Sequence, residues 1–251
     1  MRRFLKVLPL TLALVLALAG MGLVLTSCNN NSQAQIRFVH AIWDAGALDI
    51  EFNGAKDITD VAFLGVQPTS GYRPVPAGSD TVEGFATGTT TEAFEADNVS
   101  LSAGSEYTVV ATGNIAGGGN GNVVILNPSD DNTEPANNMV SFRFIHASPD
   151  GPGTVYIYVV RNPVIGNGCG GTVTVSSLTY QSTSTYVPIT YNADGYTLFV
   201  CNAEGGNPIF SGFGLGTIGG PNEGSIRTVV LTDNSGGTGM DSSPIVLNDL
   251  N

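Results

Sequence analysis

IRFVHAIWDAGA, Ile36 to Ala47, returns 106 residues later as FRFIHASPDGPG, Phe142 to Gly153. Arginine, histidine and aspartate hold the same places in both: Arg37 and Arg143, His40 and His146, Asp44 and Asp150. Each stretch starts as a run of β-branched and aromatic residues and ends in small, turn-forming ones, so each reads as a strand entering a turn. Alternate residues of a strand share a face. Ile36, Phe38 and His40 therefore point together, as do Phe142, Phe144 and His146. Each histidine closes an inward apolar row and is expected to be neutral, hydrogen-bonded and pinning the turn after it. Arg37 and Arg143 fall on the other face, where solvent or surface acids would meet them. Asp44 and Asp150 are expected to bond the backbone of their own turns. A metal site built from histidine and aspartate is the competing reading. Two ligands at one strand end fall short of the three or four that zinc takes from protein, and no metal ligand is assigned.

The match continues beyond these turns. VQPTSGYRPV from Val66 answers YQSTSTYVPI from Tyr180, sharing Gln67 with Gln181 and Tyr72 with Tyr186. EYTVVATG from Glu106 answers IRTVVLTD from Ile226. Three blocks in one order indicate a duplicated unit. Strand-like runs fall near 36–41, 48–53, 58–66, 71–76, 79–86, 92–100, 105–112 and 122–127 in the first copy. In the second they fall near 141–147, 154–161, 172–179, 184–190, 195–201, 207–213, 225–232 and 244–248. No helical periodicity follows the N-terminal segment. Short strands at this spacing, with Gly, Pro, Asn and Asp between them, predict an all-β chain of two tandem Ig-like antiparallel β-sandwich domains. The expected domains are 36–127 and 140–251, joined by a linker at 128–139 that is polar, acidic and proline-bearing.

HASPDGPGTVYIYV from His146, with a later proline-containing strand and a YTVVATG strand, resembles the bacterial domain of unknown function numbered 4397. The first copy departs from that pattern at Ile42 and Trp43, which stand in place of Ser-Pro. The resemblance implies an exported, often tandem domain. It brings no enzymatic activity.

MRRFLK, then an unbroken apolar or small stretch from Val7 to Leu25, forms a basic and apolar leader. LTSC, Leu25 to Cys28, resembles a bacterial lipobox. The expectation is a cleaved signal peptide over 1–27, a lipidated Cys28, a short tail over 28–35 and attachment to a membrane by acyl chains such as palmitate. Asn29 after the cysteine favours the outer membrane if the host is Gram-negative. Cys169 and Cys201 then remain as an even pair in an oxidising compartment and are expected to form a disulfide.

The chain carries 9 basic and 21 acidic residues, and three of the basic ones, Arg2, Arg3 and Lys6, lie in the leader. A body this acidic repels phosphate backbones, which argues against nucleic acid as a partner. Clustered carboxylates at Asp44, Asp49, Asp57 and Asp60, and at Asp130, Asp131 and Glu134, are read as solvated acids. They lack the spacing of a calcium loop. GNIAGGGNGN from Gly113 has neither the Lys-Ser/Thr end nor a following helix of a phosphate cradle, so it reads as a hairpin loop. No G-x-S-x-G elbow occurs. No catalytic residue and no cofactor are assigned. Trp43, the one tryptophan, is a candidate contact at the end of the sandwich, with partial burial expected. Tyr156 and Tyr158 share a strand face and form a second candidate contact, outward if Val155, Ile157 and Val159 face the core. The resulting expectation is a non-catalytic cell-envelope lipoprotein presenting two modules to a protein or glycan. A spacer without a ligand, or a hydrolase with an unrecognised carboxylate site, are the alternatives.

Overall fold

In the first half β1 (Gln33–Ala41) and β2 (Leu48–Phe52) are followed by β3 (Ala55–Val61), β4 (Val66–Gln67), β5 (Arg73–Pro76), β6 (Gly78–Ala86), β7 (Glu92–Leu101), β8 (Glu106–Thr112) and β9 (Val124–Leu126). The second half runs β10 (Met139–Ala147), β11 (Thr154–Arg161), β12 (Val175–Thr179), β13 (Val187–Thr190), β14 (Tyr196–Cys201), β15 (Pro208–Gly214), β16 (Ile226–Thr232) and β17 (Ile245–Leu250). These come from a computed structural model, which describes residues 32–116, 123–164, 166, 168–214 and 223–250. The leader and Cys28 lie outside the described residues, as does part of the loop after Gly113.

The chain is all-β, and both halves have the same strand order. In the first half one sheet runs β4-β1-β8-β9, with β5 also on β1, and the other runs β3-β2-β6-β7. In the second half the sheets run β13-β10-β16-β17 and β12-β11-β14-β15. The opening strand of each half lies parallel to a late one. Arg37 pairs with Thr108 and Val39 with Val110; Arg143 pairs with Thr228 and Ile145 with Val230. Every other ladder is antiparallel.

Each half packs a core between its own two sheets. Ile36, Phe38, Leu48, Ile50, Phe52 and Val109 fill the first. Phe142, Phe144, Ile157, Leu198, Val229 and Leu231 fill the second. A third core joins the halves: Val39, Ala41 and Val110 meet Ile145, Ala147, Val230 and Leu247. The sheets holding β1 and β10 are therefore buried on both faces and pack against each other. Ser32–Asn251 accordingly form one compact unit. Burying a Val, Leu or Ile side chain contributes about 1.5–3 kcal/mol, so this junction is a core in its own right.

That junction corrects the expectation for the arginines. The parity of β1 and β10 holds, but the second face meets the other half instead of water. Arg37 and Arg143 are 3 % and 2 % exposed.

Candidate functional site

The two arginines form a clasp between the halves. Arg37 donates through Nε and Nη2 to Thr108 Oγ1 (2.9 and 2.7 Å), and through Nη2 to Asp130 Oδ2 (3.3 Å) and to Asp249. Arg143 donates through Nε and Nη2 to Thr228 Oγ1 (3.0 and 2.8 Å), and through Nη2 to Asp130 Oδ1 (2.5 Å). Each guanidinium also lies over a tyrosine ring, Arg37 over Tyr72 at 5.2 Å and Arg143 over Tyr186 at 4.6 Å. The tyrosine hydroxyls complete the set: Tyr72 donates to Asp130 (2.7 Å) and Tyr186 to Asp249 (2.9 Å). Two cations thus meet two carboxylates, and each carboxylate is held by a phenol and a threonine hydroxyl.

The electrostatics follow from this pairing. Burial pulls the Arg37 guanidinium down, but Asp249 and Asp130 outweigh it and leave it raised. Burial pushes the Tyr72 and Tyr186 phenols up, and the adjacent carboxylates push them further. Asp130 lies in the segment read as a linker, yet its carboxylate is the one both arginines share. The residues involved were visible as repeats (Arg37 with Arg143, Tyr72 with Tyr186, Thr108 with Thr228); their meeting was not.

The two histidines lie on β1 and β10, both fully buried. His40 Nδ1 accepts the Ile42 N–H (3.2 Å) and Nε2 faces the Gly46 carbonyl at 2.7 Å. His146 repeats this with Ser148 N (3.4 Å) and Pro152 O (2.8 Å). A ring that accepts at Nδ1 and meets a carbonyl at Nε2 carries its proton on Nε2 and is neutral. Burial lowers both histidines, and the carbonyl at Nε2 works against that in each case. The imidazole thus ties both sides of its turn together.

The aspartates of these turns correct the expectation: the hydrogen bonds their carboxylates accept come from other segments and not from the backbone of their own turns. Asp44 accepts the N–H groups of Ile115 (2.9 Å) and Ala116 (3.0 Å), holding the chain after β8. Asp150 accepts the Trp43 indole N–H at 3.0 Å, across the two halves. Trp43 is half-buried. Its ring lies where a Cβ on Gly237 would meet it at 2.2 Å, so position 237, at φ +59°, requires glycine twice over. Behind Asp150 stands Asp233, fully buried. It accepts from the Ser148 hydroxyl and from the Asp150 N–H (3.2 Å). Burial pushes the Asp233 carboxyl up to about 6, the Asp150 charge adds to that, and the Ser148 hydrogen bond opposes it.

Cys169 and Cys201 form a disulfide. With Tyr158 and Phe199 they make a small core on the outer face of the β11 sheet. This corrects the expectation for Tyr158, which is fully buried and accepts the Gly205 N–H at 2.9 Å. The disulfide-bearing segment between β11 and β12 covers the face that was expected to be open. Tyr156 remains half-buried beside it.

The acids expected to be solvated mostly have partners. Asp49 accepts from the Asp60 N–H (2.9 Å) and from Lys56 (3.0 Å), which hold its carboxyl below the usual range. Asp57 pairs with Arg73 at 3.1 Å. Sequence reading missed a different group. Glu51, Glu83 and Glu95 lie in register across β2, β6 and β7. Oxygens of Glu83, Glu92 and Glu95 come within 4.8 Å of one another, so these three could hold a metal ion. Burial first, then Glu95 and Glu51, pushes the Glu83 carboxyl up. The signal was the acid at every second or third position of EAFEAD, but its register with Glu83 needed the fold. One cavity of about 240 Å³ lies over Arg37, between the Pro68–Gly71 turn and Ile245–Asn248 of β17. A second, of about 270 Å³, is lined by Asp57, Ile58, Thr59, Gln67, Pro68 and Arg73. A third cavity, near β9, has Glu95 and Asp97 of β7 in its lining.

Residues 34–158 match the domain of unknown function DUF4397. The matched segment covers 125 of the 251 residues, just under half of the chain. The DUF4397 match begins in β1 and ends in β11, so it takes in both histidine turns, both arginines and Asp130. No curated protein matches the chain. One similar solved structure is described as "Alpha-glucan binding by a streptococcal virulence factor". It is 11 % identical, covers 84 % of this chain and 95 % of that one, and has a TM-score of 0.28, too low for an inference from its ligand.

Proposed function

We propose that this protein is a non-catalytic cell-envelope lipoprotein in which two copies of the DUF4397 domain, locked as one body, present their loops and sheet edges to a protein or glycan ligand. One observation carries the reading: the arginines, tyrosines, threonines and histidines common to both halves are spent holding the fold together. Arg37, Arg143, Tyr72, Tyr186, Thr108 and Thr228 hold the halves to each other, and His40 and His146 hold turns. Such residues make a rigid platform. Loops on a rigid scaffold are where binding residues concentrate. The equal strand orders support the tandem copy. The lipobox-like LTSC ending at Cys28, after a basic and apolar leader, supports a lipid anchor and, with Asn29, placement in the outer membrane of a Gram-negative host.

Two measurements test this. The full chain, purified in detergent and applied to glycan and envelope-protein arrays, is expected to retain a defined ligand; silence on both arrays rejects the binding role. Cys28→Ser is expected to abolish palmitate labelling and release the chain from the membrane fraction; unchanged fractionation rejects the anchor.

A further inference from the structure

We propose that the free edge of β17 docks a second copy of this chain, the two β17 strands pairing antiparallel with Val246 at the centre. The inference depends on neither the ligand nor the anchor. β17 ends the β13-β10-β16-β17 sheet and has β16 on one side only. The ladder fixes which way its backbone points. Ser141 N–H donates to Ser225 C=O at 3.0 Å, so the odd residues of β16 turn to β10 and the even ones to β17. Thr228 and Val230 therefore bond Leu247 and Ile245, while Val246 and Asn248 turn away from the sheet. The Asn248 C=O agrees, since it accepts from Arg37 Nη1 at 3.1 Å. Among the described residues, no partner takes the N–H and C=O of Val246 or the N–H of Asn248. The cavity of about 240 Å³ borders this edge from Ile245 to Asn248. Val246 is half-buried there and Asn248 exposed.

An open strand edge is a template for another strand, and proteins blunt such edges with proline and charge. Other edges here are blunted: β5 by Pro74 and Pro76, β13 by Pro188, β3 by Lys56, β7 by Glu95 and Asp97. β9, which holds the place of β17 in the first half, has three residues, and the Asn127 side chain after it donates to the Ser100 C=O of β7 at 2.8 Å. β17 has six residues, IVLNDL, and its one charge, Asp249, is turned inward to Arg37, Thr228 and Tyr186. The register selects the occupant. Centring two β17 strands on Val246 sets Val246 against its copy, Asn248 against Pro244 and Leu247 against Ile245. The Val246 pair exchanges two N–H to C=O bonds. Pro244 has no N–H to give, and the Asn248 C=O is already held by Arg37; the Asn248 N–H still meets the Pro244 C=O. Centring on Leu247 instead would set Val246 against Asn248 and ask that carbonyl for a second donor. Ile245 and Leu247 belong to the apolar junction between the halves, so their pairing carries that junction into the second copy. The two-fold contact joins the four-stranded sheet of one copy to that of the other and closes as a dimer.

The test is sedimentation of the full chain in detergent over rising, sub-millimolar concentrations, where a monomer–dimer equilibrium is expected. Val246→Pro and Asn248→Pro each remove an outward N–H and leave the β16–β17 bonds in place, a position at which a strand tolerates proline. Each is expected to weaken the dimer at least tenfold with circular dichroism unchanged. Cysteine cross-linking reads the register without a proline. Val246→Cys is expected to link two chains under mild oxidation, because the register brings the two Cα atoms to about 5.5 Å, within disulfide range. Asn248→Cys, which faces Pro244, is expected not to link, and the wild type sets the background from Cys28. A chain that stays monomeric, even one that holds a foreign peptide on this edge, overturns the proposal. So does a dimer that survives both proline variants, or cross-linking at 248 and not at 246.

Discussion

The two halves share a strand order and a set of buried polar residues, yet they finish the same turn in opposite ways. In the first half the acid of the histidine turn, Asp44, reaches out to hold the chain after β8. In the second, the acid after β16, Asp233, reaches back to hold the histidine turn through Ser148 and the Asp150 N–H. The first half has Gly113 where the second has Asp233, and Ile42 where it has Ser148. The second half also carries a disulfide and an extra core on its outer sheet, whereas the outer sheet of the first half carries a ladder of glutamates. Shared residues hold the halves to each other and fix the turns. Unshared ones, buried Asp233 and Ser148 and the disulfide among them, set how each half secures its own turn and outer sheet.

The sharpest way to break that division is to remove its shared centre. Asp130→Ala leaves Arg143 without a carboxylate and Arg37 with Asp249 alone. Removing one partner of a buried ion pair typically destabilises by about 3–5 kcal/mol, a large part of a domain's stability. Urea denaturation of the full chain is expected to show a loss of that size, and a smaller one for Asp249→Ala, since Arg37 then keeps Asp130. A cost below about 1 kcal/mol, the scale of an exposed pair, would mean that the clasp is decoration.

The disulfide comes next, because it belongs to the second half alone. Cys169 and Cys201 are separated by 32 positions, and a loop of that length corresponds to about 3–4 kcal/mol of unfolded-state restriction. Replacing both cysteines with alanine is expected to lower hydrogen-exchange protection in β11 and β14 while β2 and β6 keep theirs. Equal loss in both halves would show that the two outer sheets unfold together.

How much of this was legible depends on the range of the interaction. Strand positions were, because turn residues and β-branched runs are local signals; even the histidine turns followed from parity along Ile36, Phe38 and His40. The packing of one half on the other was not read, although its trace was there. In IRFVHA and FRFIHA the face opposite the histidine row is Arg, Val, Ala or Arg, Ile, Ala, and a strand buried on both faces loses its polar alternation. An arginine in such a row asks for a buried acid. No pattern nearby supplies it, since Asp130 is 93 positions from Arg37 and Asp249 is 212. Tyr158 failed for a related reason: the segment that covers it lies between strands, where periodicity gives no direction.

The pH dependence of the turns is the third expectation. Asp233 is raised to about 6 from 3.8, so the folded state holds its proton more tightly than the unfolded chain. That contribution is complete below about pH 4 and is lost as pH rises to 6. A carboxyl displaced that far contributes about 3 kcal/mol at the acid end of the window. The histidines act in the other direction. Both are lowered from 6.5 by burial, so their contribution is present above 6.5 and is lost on acidification. In the wild type the two trends offset each other, and only the second half carries both. Asp233→Asn is expected to remove one of them, so that stability falls more steeply from pH 7 to pH 4 than in the wild type. Coinciding urea midpoints across that range would show that Asp233 does not titrate with folding.

The smallest effect is expected at the Trp43 side chain, which crosses between the two turns. Trp43→Phe keeps a ring against Gly237 but loses the indole N–H to Asp150. A hydrogen bond of this kind contributes about 0.5–1.5 kcal/mol, with partial exposure placing it at the lower end. Because Trp43 is the one tryptophan, its emission reports on this contact directly. In Asp130→Ala, a red shift under conditions where circular dichroism is still native would mean that the halves part at the turns once the clasp is cut. An unchanged spectrum would mean that the Trp43 contact and the apolar junction of Val39, Ala41, Ile145 and Ala147 hold the halves without it, leaving the arginines to set the register in which the halves meet.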